Sequence, residues 1–444
     1  MPRSECQYWA TLNRKKHIER LIELLTCPLA KDFEKIVPSQ TWTVYWVAHS
    51  LALLEQDKTI SYLTRDIVKF IAECAHPEGG YGGGPGQIAH VATSFAAVNA
   101  LLTVSGEEAL DSIDRVNIVR FLHRMKKPDG SYTIHDDGEV DSRSTYCALA
   151  ILYSLNIHDS ILLENVADWL LSCQTYEGGF GSVPGSEAHG GYTFCCVASL
   201  HLLNQLHRAD LNSLIRWLTN KQLGDDGGFS GRSNKLVDSC YSYWQGAVFP
   251  IIHPFLPSLN YGTPPSQLRM TPLMAFLDDE LHNVKSNMTN PNHKTTKQKV
   301  EPDNGRPTSK GKDDDNHKPP VIMEETLRKV LGSWLFDGSA LQDYLLNRCQ
   351  SKHGLLKDKP ETVPDFYHTC YALSGLSISQ HEPSGHLFDL GSQQVNLLAP
   401  IHPVFNLTID RLEYCIQYFQ NKRIETIVET SMSPKEKSEN KNIQ

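Results

Sequence analysis

Glu177-Gly-Gly-Phe180 is a short stretch that returns in near copies along the 444-residue chain. The other copies are Glu78-Gly-Gly-Tyr81, Asp129-Gly-Ser-Tyr132 and Asp226-Gly-Gly-Phe229, so successive copies lie 51, 48 and 49 residues apart. A degenerate copy, His353-Gly-Leu-Leu356, follows much later in the chain. Self-similarity at a nearly constant period indicates a repeat architecture.

Helical patterns flank these glycine turns. The apolar residues before the first turn recur at the spacing of one helix face, namely Leu63, Ile67, Phe70, Ile71 and Cys74. An apolar helical run resumes after the turn, from Val91 to Leu101. Two helices and a Gly-rich turn per repeat predict stacked helical hairpins, which can form an open solenoid or close into an α/α toroid.

The glycines of the turns have two interpretations. They can be ordinary C-caps of helices, which explains single glycines well. That interpretation explains poorly the longer clusters at 84–90 and 185–192, which combine glycines with histidines and an aromatic residue. In a closed toroid the turns would lie at one mouth, and the residues after them would line a cavity.

The amino-acid composition limits which classes of protein are plausible. The chain is 40% hydrophobic and 21% charged with a net charge of −9, which allows a large core and gives no sign of a nucleic-acid partner. Its 11 cysteines contain no Cys-x-x-Cys pair, which is typical of reduced, intracellular usage. We find no apolar run long enough for a membrane span and no apolar leader, so we expect a cytoplasmic protein.

The composition changes after Phe276. Lys, Asn, Asp, Thr and Pro dominate up to about Pro320, and such a segment cannot bury enough apolar surface to offset the cost of ordering. We therefore expect an all-α toroid in two parts, 1–277 and 323–424. A disordered polar insertion at 278–322 separates them, and a disordered tail occupies 425–444.

Asp238 and Cys240 are the first candidates for chemistry. A carboxylate and a thiol two residues apart would point to opposite sides of a regular helix, so we place them at the start of one. A single Asp-x-Cys pair is a weak metal signal, because a buried cysteine is usually just a small apolar residue. With His368 as third ligand the set would leave one zinc position open, which is the catalytic pattern.

Five long motifs carry a resemblance to a known family. They are GGGPGQ (82–87), EVDSRSTYC (139–147), PGSEAHGGYTFC (184–195), GRSNKLVDSCYSYWQ (231–245) and DFYHTCYALSGLSISQ (365–380). The chain resembles the β subunits of protein prenyltransferases, and within them the farnesyltransferases, over most of 18–278 and 335–410. The resemblance implies an α/α toroid that forms an obligate heterodimer with an α subunit. It also implies transfer of a farnesyl group from farnesyl diphosphate to the cysteine of proteins with a C-terminal CaaX sequence.

The resemblance implies one Zn²⁺ per chain and assistance by Mg²⁺. The zinc ligands would be Asp238, Cys240 and His368. The diphosphate and catalytic residues would be His189, Arg232, Lys235, Tyr241 and Asp358, the last for Mg²⁺. The isoprenoid-binding residues would be Trp42, Tyr146, Tyr192 and Trp244. The peptide-binding residues would be Ser39, Trp42, Trp46, His90, Ala92, Glu139, Arg143 and Tyr367.

Several of these residues have a simpler interpretation. Arg232 and Lys235 together are typical of a solvated surface, and Asp358 of a solvated turn. Trp42 and Trp46, four residues apart on a helix, are typical of a core stripe. Only the resemblance assigns them to a site.

Three alternatives stay beside the farnesyltransferase interpretation. Trp42 argues against the geranylgeranyltransferase type I β subunit, which has a small residue at the end of its tunnel and room for a longer donor. A terpene cyclase would need an Asp-x-Asp-Asp acid, which the chain lacks. A noncatalytic, peptide-binding helical toroid would not require the three zinc ligands together.

Overall fold

The computed structural model describes residues 11–26, 38–256, 332–390 and 395–422. The expected insertion at 278–322 and the expected tail at 425–444 lie outside the described residues. The described part includes most of both predicted toroid segments.

Helices make up nearly all of the regular structure in these residues. In chain order they are α1 (Arg14–Thr26), α2 (Gln40–Leu53), α3 (Asp57–Glu73), α4 (Val91–Val104), α5 (Glu107–Asp111), α6 (Arg115–Met125), α7 (Ser142–Ser154), α8 (Ser160–Leu163), α9 (Val166–Ser172), α10 (Gly190–Leu202), α11 (Leu211–Thr219), α12 (Tyr241–Trp244), α13 (Val248–Ile252), α14 (Gly338–Asp343), α15 (Phe366–Gln380) and α16 (Ile409–Gln420). A π-helical segment, Tyr344–Cys349, continues α14. The strands β1 (Ile401–His402) and β2 (Leu407–Thr408) pair antiparallel. No helix in the described ranges combines the length and apolar character needed to cross a membrane.

Two kinds of helix alternate along the chain. In α4 every residue except Ala92 is buried, as expected for a helix enclosed on all sides. In α3 the buried residues are Ile60, Leu63, Ile67 and Ile71, a single stripe facing inward. The apolar face predicted before the first turn is thus confirmed, and α3 is an outer helix packed on inner helices α2 and α4.

The inner helices form a closed ring. Around it α2 packs on α4, α4 on α7, α7 on α10, α10 on α12 and α12 on α15, and α15 returns to α2. The predicted α/α architecture is therefore confirmed as a closed toroid and not an open solenoid.

The glycine turns separate outer from inner helices, as predicted. Each is closed by a short antiparallel bridge, at Ala75–Tyr81, Lys126–Tyr132, Gln174–Phe180, Gln222–Phe229 and Gln350–Leu356. At Gly178 the backbone has φ +110°, and an added Cβ would lie 2.1 Å from the carbonyl oxygen of Ser213. Only glycine fits there, because both the conformation and the close approach exclude a side chain.

The structure contains a sixth turn that the sequence pattern did not predict. His381 and Leu387 form the same kind of bridge after α15, with Gly385 at φ +79°. This turn has no Gly-Gly-aromatic sequence, so nothing in the repeat pattern pointed to it.

The loop between β1 and β2, residues Pro403–Asn406, closes one end of the space inside the ring, and we call it the floor loop. Its four successive carbonyls accept hydrogen bonds from the inner helices. The donors are Tyr243 to Pro403 (2.9 Å), Tyr146 to Val404 (2.7 Å), Asn99 to Phe405 (3.1 Å) and Tyr45 to Asn406 (2.8 Å). These bonds satisfy polar groups buried in an aromatic environment and give the toroid a fixed base.

Candidate metal centre and active-site cavity

A cavity of about 490 Å³ lies inside the ring, lined largely by the first two turns of the inner helices. The aromatic residues in its lining are Trp42, Tyr45, Trp46, Phe95, Tyr146, Tyr243, Trp244, Tyr367 and Tyr371. The other lining residues are Ser39, His90, Ala92, Ile134, Glu139, Arg143, Cys147, Cys195 and Asn406. A concave aromatic wall with a few polar groups is typical of a site for an apolar ligand.

The helix starts explain why polar groups gather at one end of this cavity. His90, Asp141, His189 and Asp365 precede α4, α7, α10 and α15, and each accepts a hydrogen bond from a backbone N–H of the first turn. Because neighbouring inner helices present the same end, these capping residues lie around one mouth.

Asp238, Cys240 and His368 come together at this mouth. Their ligand atoms all lie within 4.8 Å of one another, and Asp238 Oδ1 is 3.3 Å from His368 Nε2. Cys240 lies directly before the short helix α12, as the sequence predicted, and Asp238 Oδ1 accepts from its N–H (2.9 Å). An oxygen, a sulfur and a nitrogen at this separation form a donor set that suits Zn²⁺.

Electrostatics support close contact within this group. Burial alone would lower the pKa of His368, but hydrogen bonds to Asp238 and Asp365 outweigh it and raise the pKa to about 9. Burial, followed by the charge of Asp238, raises the pKa of the Cys240 thiol well above its usual range. Without a cation the thiol is therefore protonated, and a bound cation would offset the cost of the thiolate.

Asp365 holds His368 in place. Its Oδ2 lies 2.6 Å from His368 Nδ1, while its Oδ1 accepts from the His368 N–H at 2.8 Å. This contact keeps the proton on Nδ1 and leaves Nε2 facing Asp238 for a metal. We did not anticipate this role from the sequence, although an Asp three residues before a His at a helix start was a usable signal.

His189 and Tyr241 form a second polar pair. His189 Nδ1 accepts from the Gly191 N–H, so the ring proton lies on Nε2, which is 3.0 Å from the Tyr241 hydroxyl. Burial and the nearby Arg232 lower the pKa of His189 to about 4, so the ring is neutral at pH 7. Since His189 donates to the phenol oxygen, the Tyr241 O–H is left to donate to a ligand.

One of the two predicted cations, Arg232, lies close to this pair. Arg232 pairs with Glu187 at 3.0 Å, with both side chains about half exposed. Lys235 is exposed on the same loop. The loop thus presents Arg232 next to the His189–Tyr241 pair.

Asp358 is tied to the metal-ligand segment through its backbone. Its carbonyl accepts from the Ser239 N–H at 2.8 Å, between the two ligands of that segment. Its carboxylate contacts Lys359 Nζ (2.7 Å) and the Thr362 hydroxyl. Asp358 is therefore a paired residue and not a freely solvated turn aspartate.

All eight predicted peptide-binding residues line the cavity, as do three of the four predicted isoprenoid-binding residues. Tyr192 is the exception, since it lies beside the lining, with the Arg143 guanidinium 5.6 Å from its ring centre. Arg143 is held by Asp141, with Nε 2.9 Å from Oδ2. Tyr367 links cavity and metal ligands, because its hydroxyl accepts from Trp244 Nε1 (2.9 Å) and contacts the Cys240 thiol.

Several lining residues were missed by the sequence reasoning. They are Tyr45, Phe95, Ile134, Cys147, Cys195, Tyr243, Tyr371 and Asn406. Most occupy the second turns of inner helices, where a cavity position and a core position have the same apolar pattern. Asn406 had no sequence signal, because its place depends on the floor loop.

Comparison with known proteins gives consistent results. The family model described as the prenyltransferase alpha-alpha toroid domain matches residues 12–407. A protein named protein farnesyltransferase subunit beta from Pisum sativum is 38% identical over 390 residues, covering 85% of this chain and 88% of that protein. The protein of the same name from Arabidopsis thaliana is 37% identical over 424 residues, covering 93% of this chain and 84% of that protein.

Solved structures share the fold. One example is that of Candida albicans protein geranylgeranyltransferase-I complexed with GGPP, with a TM-score of 0.63 and 20% identity, covering 92% of this chain and 99% of that one. The family model and the relatives each span most of the chain, and the structure contains the closed toroid that the model describes. The chain therefore belongs to the prenyltransferase α/α toroid family, among relatives named as β subunits of protein farnesyltransferase.

Proposed function

We propose that this chain is the catalytic β subunit of a protein farnesyltransferase. The reaction joins the cysteine sulfur of a C-terminal CaaX sequence to C1 of farnesyl diphosphate, forming a thioether and releasing diphosphate. The observation that carries the proposal is the meeting of Asp238, Cys240 and His368 within 4.8 Å at the edge of an aromatic cavity. A noncatalytic peptide-binding toroid would have no need of that donor set.

The three side chains would hold one Zn²⁺, and their O, S and N donors leave a fourth position for a substrate. Bound zinc supplies the means to keep a substrate thiol, whose usual pKa is about 8.5, deprotonated at neutral pH. Asp365 orients His368 for this role, and the Tyr367 hydroxyl contacts the Cys240 thiol from the cavity side.

Diphosphate gains negative charge as the bond to C1 breaks. The free O–H of Tyr241 and the cations of Arg232 and Lys235 are donors suited to that charge, and neutral His189 orients Tyr241. For Arg232 to reach a diphosphate it must leave Glu187. Donors directed at a developing anion are among the larger single contributions to catalysis.

Asp358 would serve Mg²⁺ in assisting the leaving group. Its carboxylate is engaged by Lys359 and Thr362, so a divalent cation would take the place of Lys359. Lys359 would then be free to contact the diphosphate itself.

The aromatic wall of the cavity would limit the length of the isoprenoid chain in the diphosphate donor. Trp42 lines the cavity and packs against Trp46 (5.6 Å between ring centres) and Phe95 (5.7 Å). An indole held on two sides cannot move aside for a further isoprene unit, which favours farnesyl over geranylgeranyl by steric exclusion. The geranylgeranyltransferase type I β subunit remains the alternative.

We assign the chain an α subunit as obligate partner and a cytoplasmic location. Three apolar side chains at the mouth are exposed, namely Ile88 (64%), Leu236 (74%) and Val363 (82%). Each lies two residues before a residue that caps an inner helix or binds the metal, so they form a rim that suits a partner surface. All nine cysteines in the described ranges are free, which favours a reducing compartment.

The test is zinc content and prenyl transfer by the complex of this chain with an α subunit, offered either donor. We expect one zinc and farnesyl preference in wild type, and loss of both zinc and transfer in Cys240→Ala. Cys415→Ala is the matched control, because Cys415 is a buried thiol on α16 that packs against Leu102 away from the site. Zinc with geranylgeranyl preference would favour the alternative, and no zinc with no transfer would refute the catalytic assignment.

A further inference from the structure

We propose that Glu177, the acidic residue of the third glycine turn, is a positioning residue that holds the two loops of the diphosphate site at a fixed separation. The inference rests on the proposed function. It gives a role to a repeat residue that neither the metal site nor the cavity uses.

The carboxylate of Glu177 contacts both loops. Its Oε1 accepts from the N–H of Ala188 at 3.3 Å, and its Oε2 accepts from the hydroxyl of Ser233 at 3.1 Å. Ala188 directly precedes His189, and Ser233 directly follows Arg232. One side chain thus ties the segment that carries His189 to the segment that carries Arg232 and Lys235.

Lys221 fixes the direction of this link. The residue is 5% exposed, and its ammonium lies 4.9 Å from the centre of the Trp217 ring and donates to Ser233 Oγ at 2.9 Å. Because an ammonium can only donate, the Ser233 oxygen accepts from Lys221 and its proton is directed to Glu177. The carboxylate also supplies a countercharge for the buried cation.

The acids of the other turns do not bridge two loops in the described part of the chain. Asp129 accepts from the N–H and hydroxyl of Ser131 within its own turn. Asp226 pairs with Arg348 at 3.0 Å. Glu78 is exposed, and its carboxylate forms no hydrogen bond or ion pair with another described residue. The third turn is the one beside the diphosphate site.

A second contact joins the same loops, but it cannot hold them together while a diphosphate is bound. Arg232 pairs with Glu187, and this pair must open when Arg232 turns to a diphosphate. The Glu177 link involves none of the groups that contact the ligand, so it persists while the ligand is bound. Glu177 therefore preserves the spacing of His189 and Arg232 at the moment when the Arg232–Glu187 pair opens.

The experiment measures binding of inorganic pyrophosphate to the αβ complex by titration calorimetry at fixed ionic strength. Glu177→Gln and Ser233→Ala should each weaken binding on the order of fivefold to tenfold, the size of one lost hydrogen bond. The double variant should bind about as weakly as either single variant, since both break one link. Ser233→Thr keeps the hydroxyl and should bind as wild type does.

Glu78→Gln is the matched control, with the same substitution at the same place in the first turn, and it should leave binding unchanged. Zinc content and KM for the peptide should stay at wild-type values in every variant, while KM for farnesyl diphosphate rises in the two link variants. Wild-type pyrophosphate affinity in both Glu177→Gln and Ser233→Ala would overturn the inference and leave the proposed function standing. A parallel loss of zinc and peptide affinity would overturn it in favour of a general structural role. Failure of wild type to bind pyrophosphate would overturn both.

Discussion

Asp365→Asn should weaken zinc binding while leaving the fold intact. In the structure one carboxylate oxygen caps α15 and the other lies 2.6 Å from His368 Nδ1. Asparagine caps a helix about as well as aspartate, so α15 should still begin at the same residue. Its amide nitrogen, however, would face the Nδ1 proton as a second donor and favour the tautomer that protonates Nε2.

The magnitude follows from the role of this contact. Loss of a partner that orients a metal ligand typically costs about 10- to 100-fold in affinity. That factor corresponds to about 1.4 to 2.8 kcal/mol of binding free energy. Because Asp238 and Cys240 remain, we expect weakened binding and not abolition, and transfer should recover when zinc is supplied in excess.

Competition with a chromophoric chelator measures the affinity directly. Asp210→Asn is the control, since Asp210 caps α11 by accepting from the Ser213 N–H at 3.0 Å on an outer helix. It should keep wild-type zinc affinity. Equal zinc affinity of Asp365→Asn and wild type would refute the argument that Asp365 orients the metal ligand.

Three other substitutions probe separate parts of the molecule. Trp42→Thr should shift the ratio of kcat/KM from farnesyl toward geranylgeranyl diphosphate by on the order of tenfold or more, and an unchanged ratio would exclude Trp42 as the length determinant. Tyr241→Phe should lower kcat by up to about 100-fold with little change in KM for the peptide, because it removes a donor needed as charge develops. His49 is fully buried, and burial lowers its pKa to about 3, against 6.5 when unfolded. The unfolded chain therefore binds the extra proton first, and stability falls as pH drops below about 6.5. Between pH 7 and pH 5 the free energy of unfolding, measured with urea, should decrease by about 2 kcal/mol less in His49→Gln than in wild type. Equal decreases in the two proteins would contradict the assignment.

The repeat turns were predictable because their geometry restricts the residues. Gly178 must be glycine for the backbone to pass Ser213, and the same demand recurs at a nearly constant interval. The sixth turn, at His381–Leu387, retains only Gly385 of that pattern and could be found only in three dimensions. Closure of the ring could not be predicted from local sequence patterns either, since it depends on α15 packing against α2.

The site was predictable in part. Asp238 and Cys240 are two residues apart, so their pairing could be inferred locally, whereas His368 was a candidate third ligand whose place beside them depends on the closed ring and was supported by the resemblance to a family. The contact of Asp365 with His368 followed from helix capping and could have been anticipated. Asn406 could not, because a residue becomes part of the cavity floor only after the whole ring has formed.

The floor loop also determines the order in which the chain can fold. Tyr45, Tyr146 and Tyr243 donate to residues 361, 258 and 160 positions later, so these bonds wait for almost the entire chain to be synthesised. A buried donor without its acceptor costs about 1–3 kcal/mol, and the four donors together approach the 5–15 kcal/mol of a typical folded protein. Inner helices made early on the ribosome therefore have no stable ring to join, and closure is a late, cooperative event with high contact order. Until Pro403–Asn406 emerges, the nascent toroid exposes its aromatic interior and should depend on chaperones, and a stop anywhere upstream of that loop should leave a product that proteases remove.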